Sequence, residues 1–180
     1  SVVTDGIERF TETGLHLTSG EELAADIVVA ATGLRMKLLA HITLSVDGRP
    51  VRVGETTSYK GMMLSGVPNF ALALGYTNAS WTLKCELTAQ HLCRLIRRMD
   101  ARGADWFMPH PPAPGLATRP AIDLASGYVR RAAADLPPQG DRKPWRLNQN
   151  YLLDMAALRY GSVVDDNLAF GQRRDAGGAG

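Results

Sequence analysis

The residues that point most directly to chemistry lie where a predicted strand meets a long predicted helix, between Phe70 and Met99. An apolar run from Phe70 to Leu74 predicts a buried strand, and a polar turn covers Gly75 to Asn78. The first N–H groups of a helix have no partner within the helix, and the helix dipole favours negative charge there. This junction predicts a place for a phosphate, a carboxylate or the electron-rich edge of a cofactor, although an ordinary strand-to-helix connection has the same spacing.

The helix after this turn is predicted to begin near Asn78 or Ser80, either of which can accept backbone N–H bonds as the N-cap. Gly103 predicts its end. Apolar residues recur at helical spacing and predict one core-facing side, made of Leu83, Leu87, Leu92, Leu95, Ile96 and Met99. The positive end of this long helix would therefore lie at the turn.

The residues before this junction predict small antiparallel elements and one buried strand. Residues 1–33 predict a short meander, with strands at Val2–Thr4 and Leu15–Leu17. The apolar run from Ile27 to Ala31 predicts a strand covered on both faces in an open α/β sheet. Thr32 and Gly33 would end that strand at the edge where ligands usually bind in such folds.

An excursion follows, in which Asp47-Gly48 predicts a hairpin between strands at residues 42–46 and 51–53. Residues 59–64 predict the strand that returns to the sheet.

The C-terminal part predicts a surface strap and two helices. The Pro-rich residues 109–120 exclude a helix or an inner strand. Helices are predicted at residues 122–136, with Ile122, Val129 and Ala133 inward, and at 150–160, with Leu152, Met155 and Ala156 inward. The Gly/Ala-rich tail at residues 173–180 is predicted to be disordered.

The composition sets limits on the class of protein. The chain has 180 residues, of which 45% are apolar and 21% charged, as in a soluble globular domain. A net charge of +2 is too small to predict a nucleic-acid partner. No apolar run reaches the ~20 residues that cross a bilayer. Cys85 and Cys93 lie about 12 Å apart along one helix, which forbids a direct disulfide and predicts a reduced, cytoplasmic location.

Residue spacing alone shows no catalytic apparatus. The four histidines have no ligand-like spacing with Cys, Asp or Glu, so no metal site is predicted, and His91 is interpreted as a surface or satisfied histidine. The sequence contains no G-x-S-x-G nucleophile motif. It also contains no G-x-G-x-x-G fingerprint and no P-loop.

Four ordered blocks nevertheless carry a family resemblance. They are DIVVAATG at residues 26–33, YKGM at 59–62, GVPNF at 66–70 and GYTNASWTL at 75–83. Together they closely resemble the C-terminal part of flavin-containing monooxygenases, and more narrowly the Baeyer–Villiger and ethionamide-activating type of bacterial FAD monooxygenase. The match extends through Trp145-Arg146 and the NQNY block at 148–151 to Phe170, which is nearly the whole chain.

The resemblance implies an enzyme that uses FAD and NADPH. A C4a-(hydro)peroxyflavin would transfer one oxygen atom to a ketone or to a soft sulfur or nitrogen, so the expected substrates are small ketones, sulfides or thioamides. The implied fold is α/β, the C-terminal portion of a two-dinucleotide-binding-domain (Rossmann-like) flavoprotein with small antiparallel hairpins and C-terminal helices.

The resemblance also implies cofactor-binding residues. Ala31, Thr32 and Gly33 would lie where the NADP-binding domain returns to the FAD domain. Asn78, Ala79, Ser80, Trp81 and Thr82 would lie against the flavin, where a helix N-terminus stabilises the negative charge of the reduced ring. For Trp81 a core aromatic that seats the helix is an equal alternative. No catalytic residue and no metal ligand is carried over.

The implied organisation has four parts. Residues 1–33 would end the NADP-binding domain with its return strand, and residues 34–108 would form the C-terminal part of the FAD-binding domain. Residues 109–172 would supply the strap and docking helices, before the tail at 173–180.

The motifs that the family carries upstream are absent from this sequence. They are both glycine-rich fingerprints, the F-x-G-x-x-x-H-x-x-x-W signature and the active-site Arg. We therefore expect a C-terminal fragment that is inactive alone and whose partner is the missing N-terminal part of the same enzyme, with homo-oligomerisation left open. The alternative is a non-catalytic α/β interaction or dimerisation module derived from a flavoprotein. A disulfide reductase is disfavoured because the redox Cys pair is lacking.

Overall fold

The computed structural model describes residues 1–33, 36–122 and 127–173, without the side chain of Tyr128. The chain divides into two compact units, Ser1–Leu34 and Arg35–Gly180. Residues 174–180 of the predicted disordered tail and residues 123–126 of the predicted helix at 122–136 lie outside the described residues.

The first unit is a three-stranded antiparallel meander. Its strands are β1 (Ile7–Thr11), β2 (Gly14–Leu17) and β3 (Glu22–Ala24), in the order β1-β2-β3. The prediction of a meander is confirmed, but β1 begins at Ile7 and residues 2–4 form no strand.

The predicted buried strand from Ile27 to Ala31 is wrong. These residues form no strand, and Ile27 and Val29 are 84% and 83% exposed. A strand covered on both faces needs hydrogen-bonding neighbours and layers above and below it. The three strands described in the first unit all lie within residues 7–24, and none of them pairs with the apolar run.

The second unit begins with two small hairpins. β4 (Leu44–Val46) pairs with β5 (Arg49–Val51), and positive φ angles at Asp47 and Gly48 close the turn. This confirms the predicted hairpin, because two residues with positive φ match the twist of the flanking strands. A 3₁₀ turn follows at Val53–Glu55.

The single return strand predicted at residues 59–64 is instead a hairpin. β6 (Ser58–Tyr59) pairs with β7 (Met63–Leu64), with positive φ at Lys60 and Gly61 between them. The left-handed backbone at the turn is what breaks the run into two short arms.

The predicted strand at Phe70–Leu74 is also wrong, whereas the long helix is confirmed. Residues 70–74 form no strand within the described part of the chain; the N–H of Leu72 donates to the carbonyl of Met62 at 2.8 Å. Helix α1 spans Trp81–Asp100 with Ser80 at the N-cap position, and Gly103 has a positive φ just beyond its end.

The buried side of α1 is more polar than predicted. It consists of Lys84, Leu87, Thr88, His91 and Leu95, while Ile96 is 41% exposed.

Short paired strands and helical turns make up the C-terminal part. β8 (Trp106–Pro109) pairs with β11 (Leu168–Gly171), and β9 (Thr118–Arg119) with β10 (Gln139–Gly140). Helix α2 spans Gly127–Ala132 and continues as a 3₁₀ turn at Ala133–Asp135. Helix α3 spans Tyr151–Asp154 and continues as a π-helical stretch at Met155–Tyr160.

Three predicted inward residues of these helices are exposed: Ala133, Leu152 and Ala156. Asp154 and Leu158 face inward instead. A π-helical stretch changes the spacing at which residues share a face, so a 3.6-residue pattern misplaces the buried side here.

The core of the second unit surrounds the β6–β7 hairpin. Its buried members are Tyr59, Met62, Met63, Leu87, Leu95, Phe107, Trp145, Leu158 and Leu168. The rings of Tyr59 and Trp145 meet edge to face with centroids 5.4 Å apart.

The fold is thus α/β with small antiparallel sheets and a few helices, and every strand pairing among the described residues is antiparallel. The parallel Rossmann sheet implied by the resemblance is not seen in the residues described. No described helix combines the length and the apolar character needed to cross a membrane.

Candidate functional site

The N-terminal end of α1 is exposed. Asn78, Ala79, Ser80, Trp81 and Thr82 are all solvent-accessible. The Ser80 side chain makes no capping hydrogen bond; its Oγ lies 2.8 Å from Oγ1 of Thr82, and the first turn carries no acidic residue. The positive end of the helix dipole is therefore open to an electron-rich group.

The turn before α1 is fastened to the segment that precedes α3. The side-chain oxygen of Gln149 accepts from the N–H of Thr77 at 3.1 Å and from its hydroxyl at 3.2 Å. The Asn78 side chain donates to the Gln149 carbonyl at 3.2 Å. These bonds fix the backbone that leads into the helix end.

The indole of Trp81 covers the backbone of Gly75. A Cβ added at Gly75 would lie 2.1 Å from Cγ of Trp81, far inside van der Waals contact. Trp81 is nevertheless 61% exposed. Within this chain it is thus not the core aromatic that the sequence offered as an alternative; it presents a ring surface beside the helix end.

Replacing Gly75 by alanine is expected to displace the Trp81 indole and to lower the free energy of unfolding by about 1–3 kcal/mol, because the new methyl group overlaps the root of the ring. The measurement is the Trp81 indole N–H resonance together with urea unfolding. Gly127→Ala is the matched control, because its Cβ would meet only Arg131 Nη1 at 3.2 Å. An unmoved Trp81 resonance in Gly75→Ala would contradict the expectation.

A buried ion pair lies behind the helix end. Oδ2 of Asp154 accepts from Nζ of Lys84 at 2.7 Å and from the hydroxyl of Tyr76 at 2.9 Å. Oδ1 of Asp154 accepts from the Asn148 amide at 2.9 Å. Burial, followed by the hydrogen bond to Asp154, raises the pKa of Tyr76 above its usual value. Asp154 therefore joins the turn, α1, the 148 segment and α3 through one carboxylate.

A cavity of about 120 Å³ lies between the helix end and this cluster. Trp81, Tyr76 and Lys84 are among its lining residues. Most of the remaining wall is apolar, contributed by Met36, Leu38, Leu74, Ala121, Ile122, Leu136, Pro137 and Leu147. The helix end thus borders a groove and is not enclosed in a core.

A second carboxylate lies under the β6–β7 hairpin. Oδ2 of Asp165 accepts from the Tyr59 hydroxyl at 2.7 Å and lies 3.3 Å from Nζ of Lys60. Nζ of Lys60 also donates to the Ser162 carbonyl at 3.0 Å. Burial raises the pKa of Tyr59 and lowers the pKa of Lys60. Burial opposes ionisation of Asp165, but the hydrogen bonds from Tyr59 and Asn167 prevail, so its pKa is lowered.

His91 is fully buried and is not a surface residue. Its Nδ1 lies 2.9 Å from the Leu158 carbonyl, which can only accept, so Nδ1 carries the proton. Nε2 has no partner among the described residues. Burial is the main reason that the pKa of His91 falls to about 4.

Arg94 completes the attachment of α1 to the π-helical stretch. Its guanidinium donates to the carbonyls of Leu158 at 3.0 Å, Arg159 at 2.7 Å and Gly161 at 2.8 Å. The last carbonyls of a helix have no partner within the helix, so Arg94 supplies the missing hydrogen bonds at the end of the π-helical stretch.

The predicted site residues fall into two groups. Residues 78–82 are contiguous at the end of α1, in the second unit. Ala31, Thr32 and Gly33 belong to the first unit, where they are exposed and outside any strand. No three His, Cys, Asp or Glu side chains come together as a metal site in residues 1–33, 36–122 and 127–173.

Sequence reasoning missed Lys84, Asp154 and Gln149. The sequence does contain a signal for Lys84. It is a single cation three residues before Leu87, on the otherwise apolar side of the helix, and such a cation indicates a buried partner of opposite charge. Neither Asp154 nor Gln149 was found, since the partners that place them at the helix end, Lys84 and Thr77, lie 70 and 72 residues away.

Comparison with known proteins gives close relatives. The chain is 50% identical to the FAD-containing monooxygenase EthA of Mycobacterium tuberculosis over 172 residues, which are 96% of this chain and 35% of that protein. It is 50% identical to EthA of Mycolicibacterium smegmatis over 175 residues, 97% of this chain and 36% of the relative. "Probable FAD-binding monooxygenase AlmA" of Acinetobacter baylyi is 44% identical over 176 residues, 97% of this chain and 35% of the relative.

No family model and no solved structure matches the chain. The chain spans about 35% of the length of the relatives described above, and the matched part is C-terminal. Over nearly its whole length the chain is therefore similar to the C-terminal part of FAD-containing monooxygenases.

Proposed function

We propose that this chain works as the C-terminal part of an FAD- and NADPH-dependent monooxygenase of the Baeyer–Villiger type. One oxygen atom would be transferred to a small ketone, sulfide or thioamide, a reaction for which bound flavin supplies the oxygen-activating chemistry. The chain alone would be inactive, because the pyrophosphate-binding glycine motifs would come from the N-terminal part. A cytoplasmic location goes with this proposal and agrees with the free thiols of Cys85 and Cys93.

The observation that carries the proposal is the exposed, uncapped N-terminal end of α1 beside the exposed Trp81 ring. N–H groups at such an end stabilise an electron-rich ring edge, and the indole offers a flat apolar surface to a ring system. Residues 78–82 would hold the flavin in this way. Thr77, fastened by Gln149, would keep the helix end in position.

The first unit would carry the other predicted site residues. Ala31, Thr32 and Gly33 would lie where the NADP-binding domain returns to the FAD domain, with the boundary after residue 33. The division of the chain into Ser1–Leu34 and Arg35–Gly180 supports this boundary.

The test is a longer protein that contains this chain behind an N-terminal part with G-x-G-x-x-G. It should purify with flavin and oxidise NADPH in response to a ketone or a thioamide. Trp81→Ala should weaken flavin binding about tenfold or more, because it removes the ring surface. Tyr160→Ala is the control, since Tyr160 is a similarly exposed aromatic, 72% accessible, at the end of the π-helical stretch.

A longer protein that binds no flavin would contradict the proposal. That outcome would favour the second candidate, a non-catalytic interaction or dimerisation module. The exposed apolar residues of the first unit, including Phe10, Ile27 and Val29, are the observation that favours it.

A further inference from the structure

A cavity of about 340 Å³ in the second unit is lined by two arginines, Arg119 and Arg146. The other lining residues are polar amides, a hydroxyl and apolar groups: Thr77, Pro120, Ala121, Ile122, Gln139, Leu147, Asn148 and Gln149. No carboxylate is among the lining residues that the structure describes. Among the residues that the structure describes, neither arginine has an ion-pair partner, so no described carboxylate offsets the two positive charges at this cavity.

The backbone segments that carry the two arginines are tied together through one buried amide. Arg119 lies opposite Gln139 in the β9–β10 pair. The side-chain NH₂ of Gln139 donates to the Pro120 carbonyl at 3.0 Å, and its oxygen accepts from the N–H of Leu147 at 3.0 Å. Gln139 is only 5% exposed. The backbone next to Arg119 and the backbone next to Arg146 are therefore tied to the same side chain.

Further donors face the same cavity. The side-chain oxygen of Gln149 accepts from Thr77, and the NH₂ group of Gln149 has no acceptor among the described residues. Guanidinium groups offer several N–H donors in a planar fork that suits oxyanions. Two such forks and an amide exceed what one carboxylate can accept, and they match a group with three or four oxygens.

We propose that this cavity binds the phosphate group of a phosphorylated small molecule, with Arg119 and Arg146 as its ligands and Gln139 as the positioning residue. Apolar walls from Ala121, Ile122 and Leu147 would cover the uncharged body of the ligand. The inference does not depend on the proposed monooxygenase activity, because neither arginine is among residues 78–82, which would hold the flavin.

The test is calorimetric titration of the 180-residue chain with inorganic pyrophosphate at constant ionic strength. Arg119→Gln and Arg146→Gln should each weaken binding about tenfold, the loss expected for one charge-assisted contact. Arg98→Gln is the matched control, because Arg98 is exposed on α1 and does not line the cavity. It should change the affinity by less than about twofold. Both cavity arginines are exposed, so circular dichroism should show all three variants folded.

Three results would overturn the site. Absence of pyrophosphate binding to the unmodified chain would do so directly. An equal loss in Arg98→Gln would show non-specific attraction to a basic surface. Acetate binding as tightly as pyrophosphate in the same titration would show a carboxylate site instead. Failure of the longer protein to bind flavin would leave this inference intact, since the pyrophosphate titration uses no flavin.

Discussion

Replacing Asp154 by alanine should lower the free energy of unfolding by about 3–5 kcal/mol, the cost of leaving one member of a buried ion pair without its partner. Lys84 is 6% exposed, and its amino group would lose the carboxylate that compensates it in the buried site. Tyr76 and Asn148 would lose their acceptor in the same step. Urea unfolding of the 180-residue chain, followed by circular dichroism, measures the loss.

Two controls separate the ion pair from general effects of removing a carboxylate. Asp100→Ala, at the exposed end of α1, should change stability by less than about 0.5 kcal/mol. Adding Lys84→Met to Asp154→Ala should recover more than half of the loss, because the uncompensated charge disappears. If the double variant is no more stable than Asp154→Ala, the buried charge is not the cause of the loss.

Stability should also fall as the pH is lowered from 6.5 to 4, and His91 should account for the fall. The pKa of His91 is about 4 in the folded chain against 6.5 for an unperturbed histidine, because burial disfavours its charged form. Below pH 6.5 the unfolded chain therefore binds a proton that the folded chain does not, and unfolding is favoured. Over the whole range between the two pKa values, the free energy of unfolding falls by about 3 kcal/mol.

The measurement is the free energy of unfolding as a function of pH for the unmodified chain and for His91→Gln. Glutamine can still donate to the Leu158 carbonyl but does not titrate, so the slope between pH 6.5 and 4 should largely vanish. His110→Gln, at an exposed histidine, should keep the slope. An unchanged slope in His91→Gln would rule out the burial of His91 as its origin.

Elements that the sequence predicted correctly are those determined by neighbouring residues. The hairpin at Asp47-Gly48 follows from two residues that tolerate positive φ, and its arms need only each other. Helix α1 follows from a 20-residue amphipathic repeat with its own start and end signals.

The wrong predictions concern segments whose structure depends on residues far away in the sequence. Residues 27–31 and 70–74 have the composition of covered strands, yet neither segment pairs with a strand among the described residues. The polar side of α1 could not be predicted either, because Lys84 and His91 are stabilised by Asp154 and Leu158. The candidate site at the N-terminal end of α1 could be proposed from the sequence because a helix start has a local signal. The arginine-lined cavity could not, because only Gln139 links the backbone next to Arg119 to the backbone next to Arg146.

The bonds around Tyr59 have a consequence for synthesis on the ribosome. Tyr59 donates to Asp165, 106 residues later, and Tyr76 donates to Asp154, 78 residues later. Contacts of such long sequence separation form late, because the intervening chain must be ordered first. A nascent chain in which residue 165 has not yet left the ribosome cannot form the Tyr59–Asp165 bond, so this part of the core closes only late in synthesis.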